Sequence, residues 1–327
     1  MIWVLESAAR KTLLAPHKPL MFLDYYWQAF RLVGEDPPDV VHAHDLNTLP
    51  VAAALARRHR LRLVFDAHEL YPEISTLSPW ESAFWSFVER RLTPRVAECI
   101  TVCESIADEI STRNGVDHPT VVLNCPSRVN IVDLKDGCLH SLVGLSEDEP
   151  IVLYQGGFAP NRGLSTVIEA ASRLDRGTVV MMGWGTLEET LRELVNQRHL
   201  EEKVLFTEPV ARHEVVRYAA DATVGLIPYE PVGLNNTYST PNKLFDYMAA
   251  GLPVAASKLP ELIRFVDGMR IGATFEPGDP DALAATINAI LADEDRLAAM
   301  RARAIEASER FTWENESEKL LRLYGSP

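Results

Sequence analysis

Along most of the chain, short apolar runs alternate with stretches whose apolar positions recur at helical spacing. That alternation marks parallel α/β sheets covered by helices on both faces. In the first half the runs predict strands over residues 39–43, 61–67, 99–102 and 120–123, with helices over 48–59, 80–97 and 104–114 between them. In the second half they predict strands over 151–154, 179–182, 204–206, 223–227, 254–256 and 273–275, and helix from residue 280 almost to the end. Residues 125–150 lack periodicity, carry Gly137, Gly144 and the acidic run Glu147, Asp148, Glu149, and read as a linker. The division that follows is a first domain over 1–135, a linker over 136–149, a second domain over 150–310 and a final helical segment over 311–327. Before residue 39 the only candidate for part of a strand is Met1 to Leu5. Trp80, Phe84, Trp85 and Phe87 precede Val88 and Leu92 in a pattern that predicts core packing in preference to a membrane-facing helix.

The chain has 327 residues, enough for two ordinary domains with their own cores. Nearly half of the residues (47%) are apolar, yet no apolar run reaches membrane-spanning length and no secretory signal is visible, so a soluble, cytoplasmic protein is expected. A net charge of −14 opposes general binding to nucleic acid. The one basic cluster, Arg57, Arg58, His59, Arg60 and Arg62, reads as the solvated end of a helix, or as a contact with a membrane surface or an anionic acceptor. Cys99, Cys103, Cys125 and Cys138 have neither the spacing nor the attendant histidines of a zinc site, so reduced structural thiols and no metal are expected.

The candidate chemistry of the second half lies in loops after strands. Ser239 and Thr240 are good N-cap residues, Pro241 suits a first helical turn, and the helix they predict carries Lys243 and Asp246 on one face and stops at Gly251 and Pro253. Free N–H groups and the positive end of that helix favour a phosphate, with Lys243 and Asp246 acting on one ligand or pairing with each other. Gly156 and Gly157, followed by Arg162 and Gly163 before another helix, form a loop suited to backbone contact with phosphate. Gly183 and Gly185 also follow a strand and read either as a donor contact or as a tight turn. In the first half, His44 with Asp45 and His68 with Glu69 each set a histidine beside an acid just past a strand, a pairing that can orient hydroxyls and move protons.

Tyr247-Met248-Ala249-Ala250-Gly251-Leu252-Pro253-Val254 resembles the tail of the signature of the family 4 retaining glycosyltransferases, which have the GT-B architecture of two Rossmann-like domains facing a cleft. Asp246 stands where that signature has its second glutamate, and Tyr238 where it has its first. Gly157 and Arg162 stand at the arginine and lysine positions of the family's diphosphate loop, so one cation is lost there and Lys243 is the candidate replacement. The resemblance implies transfer of a sugar from a nucleoside diphosphate donor to a hydroxyl acceptor (a glycan, a lipid-linked or a small molecule) with retained configuration. It implies no cofactor and no metal.

By the same resemblance, Arg162, Lys243 and the helix N-terminus at Ser239 and Thr240 take the diphosphate and Asp246 takes the ribose. Asn235 to Tyr238, with His68, take the sugar. Val210 lies in the segment that meets the base, His44 and Asp45 are second candidates, for the acceptor or for local structure, and Asn124 fits a family asparagine at the domain boundary while reading by itself as a turn former. The final helix crosses back onto the first domain in such enzymes. The start reads as short of a complete member by several elements, which leaves two alternatives: an epimerase or hydrolase on the same fold, or a donor-binding pseudoenzyme or assembly subunit. The sugar, base, acceptor and oligomeric state are not encoded in these motifs.

Overall fold

The computed structural model describes residues 17–129 and 136–325; the candidate strand at Met1 to Leu5 lies outside them. Two parallel sheets form two Rossmann-like domains. The first contains β1 (Val40–His44), β2 (Arg62–Ala67), β3 (Glu98–Thr101) and β4 (Thr120–Val121), in the order β1-β2-β3-β4. The second contains β5 (Ile151–Gln155), β6 (Thr178–Met182), β7 (Val204–Thr207), β8 (Val224–Ile227), β9 (Val254–Ser257) and β10 (Gly272–Phe275), in the order β10-β9-β8-β5-β6-β7. The described strands lie within two residues of the predicted ones. Every residue of β5, β6, β8 and β9 is buried, so these strands read as near-continuous apolar runs, with Gln155, Thr178 and Ser257 as polar residues at their ends.

From β5 the chain builds outward first through β6 and β7, then on the other side through β8, β9 and β10. The order therefore reverses between β5 and β8, and the loops leaving those two strands diverge around a crevice at their carboxyl ends. This reversal is what positions the site.

Several helices differ from expectation. Residues 80–97 are not one helix: Pro79–Leu92 is α-helical, and Pro94 turns the chain into a short 3₁₀ turn over Thr93–Arg95. Helix Cys138–Val143 interrupts the linker, closed by left-handed Gly137 and Gly144 at its ends. Helix His17–Glu35 had no counterpart in the sequence reading, because Leu20, Leu23, Trp27 and Leu32 face outward and break the apolar periodicity. Its Phe22 packs on Trp85, ring centroids 6.1 Å apart. Trp85 is the buried member of the aromatic set, whereas Trp80, Phe84 and Phe87 are 51–71% exposed, so the core-packing expectation fails for these three.

The last helix, Trp313–Gly325, lies on the first domain. Leu323 packs with Val64 and Ile100, Glu316 accepts the Leu123 N–H at 2.8 Å, and Lys319 donates to the Val121 carbonyl at 3.0 Å. Among the described residues no helix is long and apolar enough to cross a membrane, and the four cysteines are free thiols.

Candidate functional site

A cleft of about 880 Å³ opens between the domains, lined from the second by the loops after β5 and β8 and by helix Asn242–Ala249. The helix begins one residue later than expected. Pro241 is its N-cap, neither Ser239 nor Thr240 makes a capping hydrogen bond, and Ser239 donates instead to the Asn236 carbonyl at 3.0 Å. The first-turn N–H groups keep no side-chain cap, which suits them to an anion.

Lys243 lies on the floor of the cleft, 8% exposed, and its ammonium has no hydrogen-bond partner. It sits 3.7 Å from the centre of the Tyr154 ring and 5.4 Å from that of Tyr229, and the Arg162 guanidinium covers Tyr229 at 4.2 Å. Two cations thus share one cavity, held by aromatic faces in place of carboxylates. Burial, with Arg162 adding to it, pushes the Lys243 pKa well down; Asp246 opposes the shift. Gly156 has φ +126°, and a Cβ there would stand 3.3 Å from the Lys243 nitrogen, so glycine leaves the approach to that ammonium open. At Gly183 and Gly185 a Cβ would meet the backbone of Gly156 and Phe158 at 2.0 and 2.4 Å, so both glycines back the loop from behind.

Asp246 is partnered by Arg212, not by Lys243. The guanidinium holds the carboxylate in two hydrogen bonds of 2.9 and 2.8 Å, and Gln155 adds a third at 3.2 Å. Burial raises the Asp246 pKa against the pull of Arg212, Gln155 and Lys243. The Asp246 side chain is 5% exposed and that of Arg212 is 60% exposed, so the arginine forms the solvent-facing wall of this corner.

The two domains are joined across the cleft by side chains. Asn235 donates to Glu69 at 2.7 Å and accepts the Leu70 N–H at 3.1 Å. Glu261, buried, accepts from the Ser105 N–H and hydroxyl at 2.8 and 2.5 Å at the start of helix Glu104–Asn114. Tyr238 packs against the core of the first domain, its carbonyl accepting from the Cys103 thiol at 3.0 Å. It serves the seam between domains and does not stand as a substitute for an acid.

On the first-domain side, β1 and β2 pair in parallel with His44 opposite Asp66. His42, His44 and His68 all surround the Asp66 carboxylate, with nitrogens 3.3, 3.5 and 3.2 Å from Oδ2. Burial would raise the Asp66 pKa, but hydrogen bonds from His42 and His68 hold it well below the carboxylate range. The hydrogen bond to Asp66 raises the His68 pKa, whereas burial and the neighbouring His42 lower that of His44. Asp45, at φ +62°, accepts the His68 N–H at 3.3 Å and faces its Nδ1 at 3.7 Å, which fixes that ring at the cleft edge. His68 and Glu69 line the cleft.

Residues 5–126 match the family described as Glycosyl transferase 4-like domain, and residues 149–293 match Glycosyl transferases group 1. The chain belongs to the family 4 glycosyltransferases. It is similar to an uncharacterized glycosyltransferase of Methanocaldococcus jannaschii, 24% identical over 90% of this chain and 76% of that one. It is also similar to glycogen synthase of Mycobacterium tuberculosis, 27% identical over 88% of this chain and 68% of that one. Among solved structures its fold resembles sucrose-phosphate synthase from Thermosynechococcus elongatus (TM-score 0.75, 21% identity, 92% of this chain and 76% of that one). It also resembles Anabaena HepE in complex with UDP-glucose (TM-score 0.77, 19% identity, 97% and 89%).

In this glycosyltransferase, Gly156, Gly157, Arg162, Val210, Asn235, Ser239, Thr240, Lys243, Asp246, His68 and Glu69 all line one cleft, together with Asn124. His44 and Asp45 stand beside His68, Gly183 and Gly185 support the glycine loop, and Tyr238 joins the domain seam. Sequence reading missed Tyr154, Gln155, Arg212 and Tyr229 around the cations, and His42 and Asp66 in the first domain. Arg212 follows Val210 by two residues in the same loop, the nearest thing to a local signal.

Proposed function

We propose that this glycosyltransferase moves a sugar from a nucleoside diphosphate donor to a hydroxyl acceptor with retained anomeric configuration. Supporting this reading is one observation above the others: a buried ammonium, Lys243, without a hydrogen-bond partner beside a second cation, Arg162, at the foot of the cleft. A buried charge is costly unless a counter-charge meets it, and a diphosphate supplies one. In this proposal Arg162, Lys243 and the first-turn amides of helix Asn242–Ala249 stabilise the negative charge that grows on the leaving diphosphate. Those groups do the work of a cation there, so no cofactor is assigned to the step. The complexes of HepE with UDP and UDP-glucose support a nucleotide-sugar donor.

Asp246 anchors the ribose once Arg212 yields part of its hold, and Val210 meets the base. Glu69, brought to Asn235 from the other domain, supplies the acid that the second domain lacks at Tyr238, and His68 holds the sugar. Closure of the domains excludes water from the reacting centre. The working division is an acceptor-side domain over 1–135, a linker over 136–149, a donor domain over 150–310 and a returning helix over 311–327. The exposed apolar side chains of helices His17–Glu35 and Pro79–Leu92 support peripheral contact with a membrane, which fits a lipid-linked acceptor. Nucleotide sugars screened by thermal shift test the donor, since a ligand of the folded state raises Tm by mass action. Product anomers read by NMR test retention. Absence of any shift with nucleoside diphosphates and their sugars would remove the reading.

A further inference from the structure

The cluster around Asp66 is built from alternate residues of two neighbouring strand ends. His42 and His44 are two apart on β1, Asp66 and His68 two apart on β2 and its exit, and His44 is in register with Asp66. The period-two alternation of a strand therefore sends all four side chains to one face. One ligand atom each from His42, His44 and Asp66 lies within 4.8 Å of the other two, and His68 joins this trio from the His44 and Asp66 side. His68 Nε2 stands 3.2 Å from Asp66 Oδ2 and 3.3 Å from His44 Nδ1.

The rings of His44 and His68 hydrogen-bond each other, Nδ1 to Nε2 at 3.3 Å, one donating and the other accepting. A cation seated among these atoms replaces that ring-to-ring bond and takes the lone pairs directly. Of the six edges a four-ligand set has, the four that join Asp66 to the three rings and His44 to His68 measure 3.2 to 3.5 Å. The edge of a tetrahedron with metal–ligand bonds of about 2.0–2.1 Å is ~3.3 Å. The outer partners agree. Tyr324 on the returning helix engages Nδ1 of His42 and leaves its Nε2 for the cluster, and the Asp45 carboxylate faces Nδ1 of His68. A carboxylate or hydroxyl on the far nitrogen of a ligating histidine is what orients such rings around a metal.

We propose that His42, His44, Asp66 and His68 bind one Zn²⁺ ion at the edge of the interdomain cleft. Three imidazoles and one carboxylate are a borderline ligand set, suited to zinc over magnesium or calcium. The site goes beyond the transfer reaction and needs no donor. It meets that reaction at His68, which offers Nε2 to the metal or to a sugar hydroxyl but not to both, so on the reading given above Zn²⁺ lowers transfer.

The test is a Zn²⁺ titration of chelator-treated full-length protein, without donor, against a chromophoric chelator, with Co²⁺ as a spectroscopic substitute. Expected are about one equivalent per chain and a tetrahedral Co²⁺ spectrum. His42→Ala and Asp66→Asn should weaken binding by two orders of magnitude or more, and Asp45→Asn by roughly tenfold or more. His44→Ala alters a side chain that is 61% exposed, so it reports on the site even where a buried variant fails to fold. His118→Ala, on an ordinary surface pair with Glu104 and Asp108, should change nothing. Failure of the wild type to bind near one equivalent, an octahedral Co²⁺ spectrum, or equal affinity in His44→Ala and wild type would each overturn the site. The donor-binding reading would stand untouched by any of these results.

Discussion

The two walls of the cleft handle charge in opposite ways. On the donor side Lys243 is buried against tyrosine faces with no hydrogen-bond partner, and nearby Asp246 is fully engaged by Arg212 and Gln155. On the first-domain side His42, His44, Asp45, Asp66 and His68 each have a titratable neighbour within 4 Å, and the rings of His44 and His68 stay half-exposed. One wall holds a charge that lacks a counterion, and the other holds a network that is already paired. Ligand binding should therefore produce its strongest linkage on the donor side, and substitutions there should separate stability from binding.

The sharpest way to break that contrast is Lys243→Met, which keeps the stem and removes the charge. Hydrogen bonds to charged groups contribute about 1.5–3 kcal/mol, so nucleoside diphosphate affinity should fall about 10- to 150-fold. The free protein should be as stable as wild type or more so, because an unpaired buried charge has gone. Calorimetric titration with a thermal melt of the free protein checks both. A variant that binds normally, or that melts well below wild type, contradicts the account of Lys243 as a cation awaiting its ligand.

Next in size is the pH dependence. Burial lowers the Lys243 pKa in the free protein, and a bound diphosphate raises it again. Between the free and bound values, binding takes up a proton, and affinity falls by up to tenfold per pH unit as pH rises. The folding linkage has the opposite sign. As pH rises through the lowered folded pKa, the unfolded chain binds more protons than the folded one, and stability increases toward the ordinary lysine value. Titrations in buffers of different ionisation enthalpy read the proton uptake directly. Lys243→Met should abolish both slopes, and a slope that survives belongs to another group.

How much of this was visible beforehand differs between the fold and the site. Strands such as β5 and β6 were legible because burial on both faces forces a near-continuous apolar run. Helix His17–Glu35 was not, since its apolar residues face outward and carry no core-facing period. Lys243, Arg162 and Asp246 were legible because helix-start and glycine-loop chemistry is local. Arg212 was not: its partner lies 34 residues on, and only the convergence of two loops at the strand-order reversal joins them. The same holds for His42 and Asp66, 24 residues apart and brought together by sheet register. Pairing of Lys243 with Asp246, plausible at a spacing of three, lost to a bidentate arginine, which matches a carboxylate better than an ammonium does.

Arg212→Ala sharpens the comparison from the other side. It leaves Asp246 with Gln155 as its remaining hydrogen-bond donor and pushes the carboxyl pKa further up. Removing one partner of a buried pair costs about 3–5 kcal/mol. Because the guanidinium is 60% exposed, a loss of about 1–2 kcal/mol in denaturant unfolding is expected. Donor affinity should change little if Arg212 merely covers the ribose corner, so a large loss of affinity would make it a donor ligand in its own right.

The smallest effect concerns the seam between the two walls. Asn235 spends both ends of its amide on the first domain, donating to Glu69 and accepting from the Leu70 backbone. Asn235→Ala should cost about 1 kcal/mol of stability, the size of an ordinary net hydrogen bond at a wet cleft. Its larger consequence is geometric, because Glu69 loses the contact that holds it against the loop before helix Asn242–Ala249. Small-angle scattering should then report a more open average separation of the domains, and the KM for the donor should rise while diphosphate affinity stays near wild type. If diphosphate affinity fell with it, Asn235 would be touching the donor's phosphates, and the separation of the two walls drawn here would not hold at that residue.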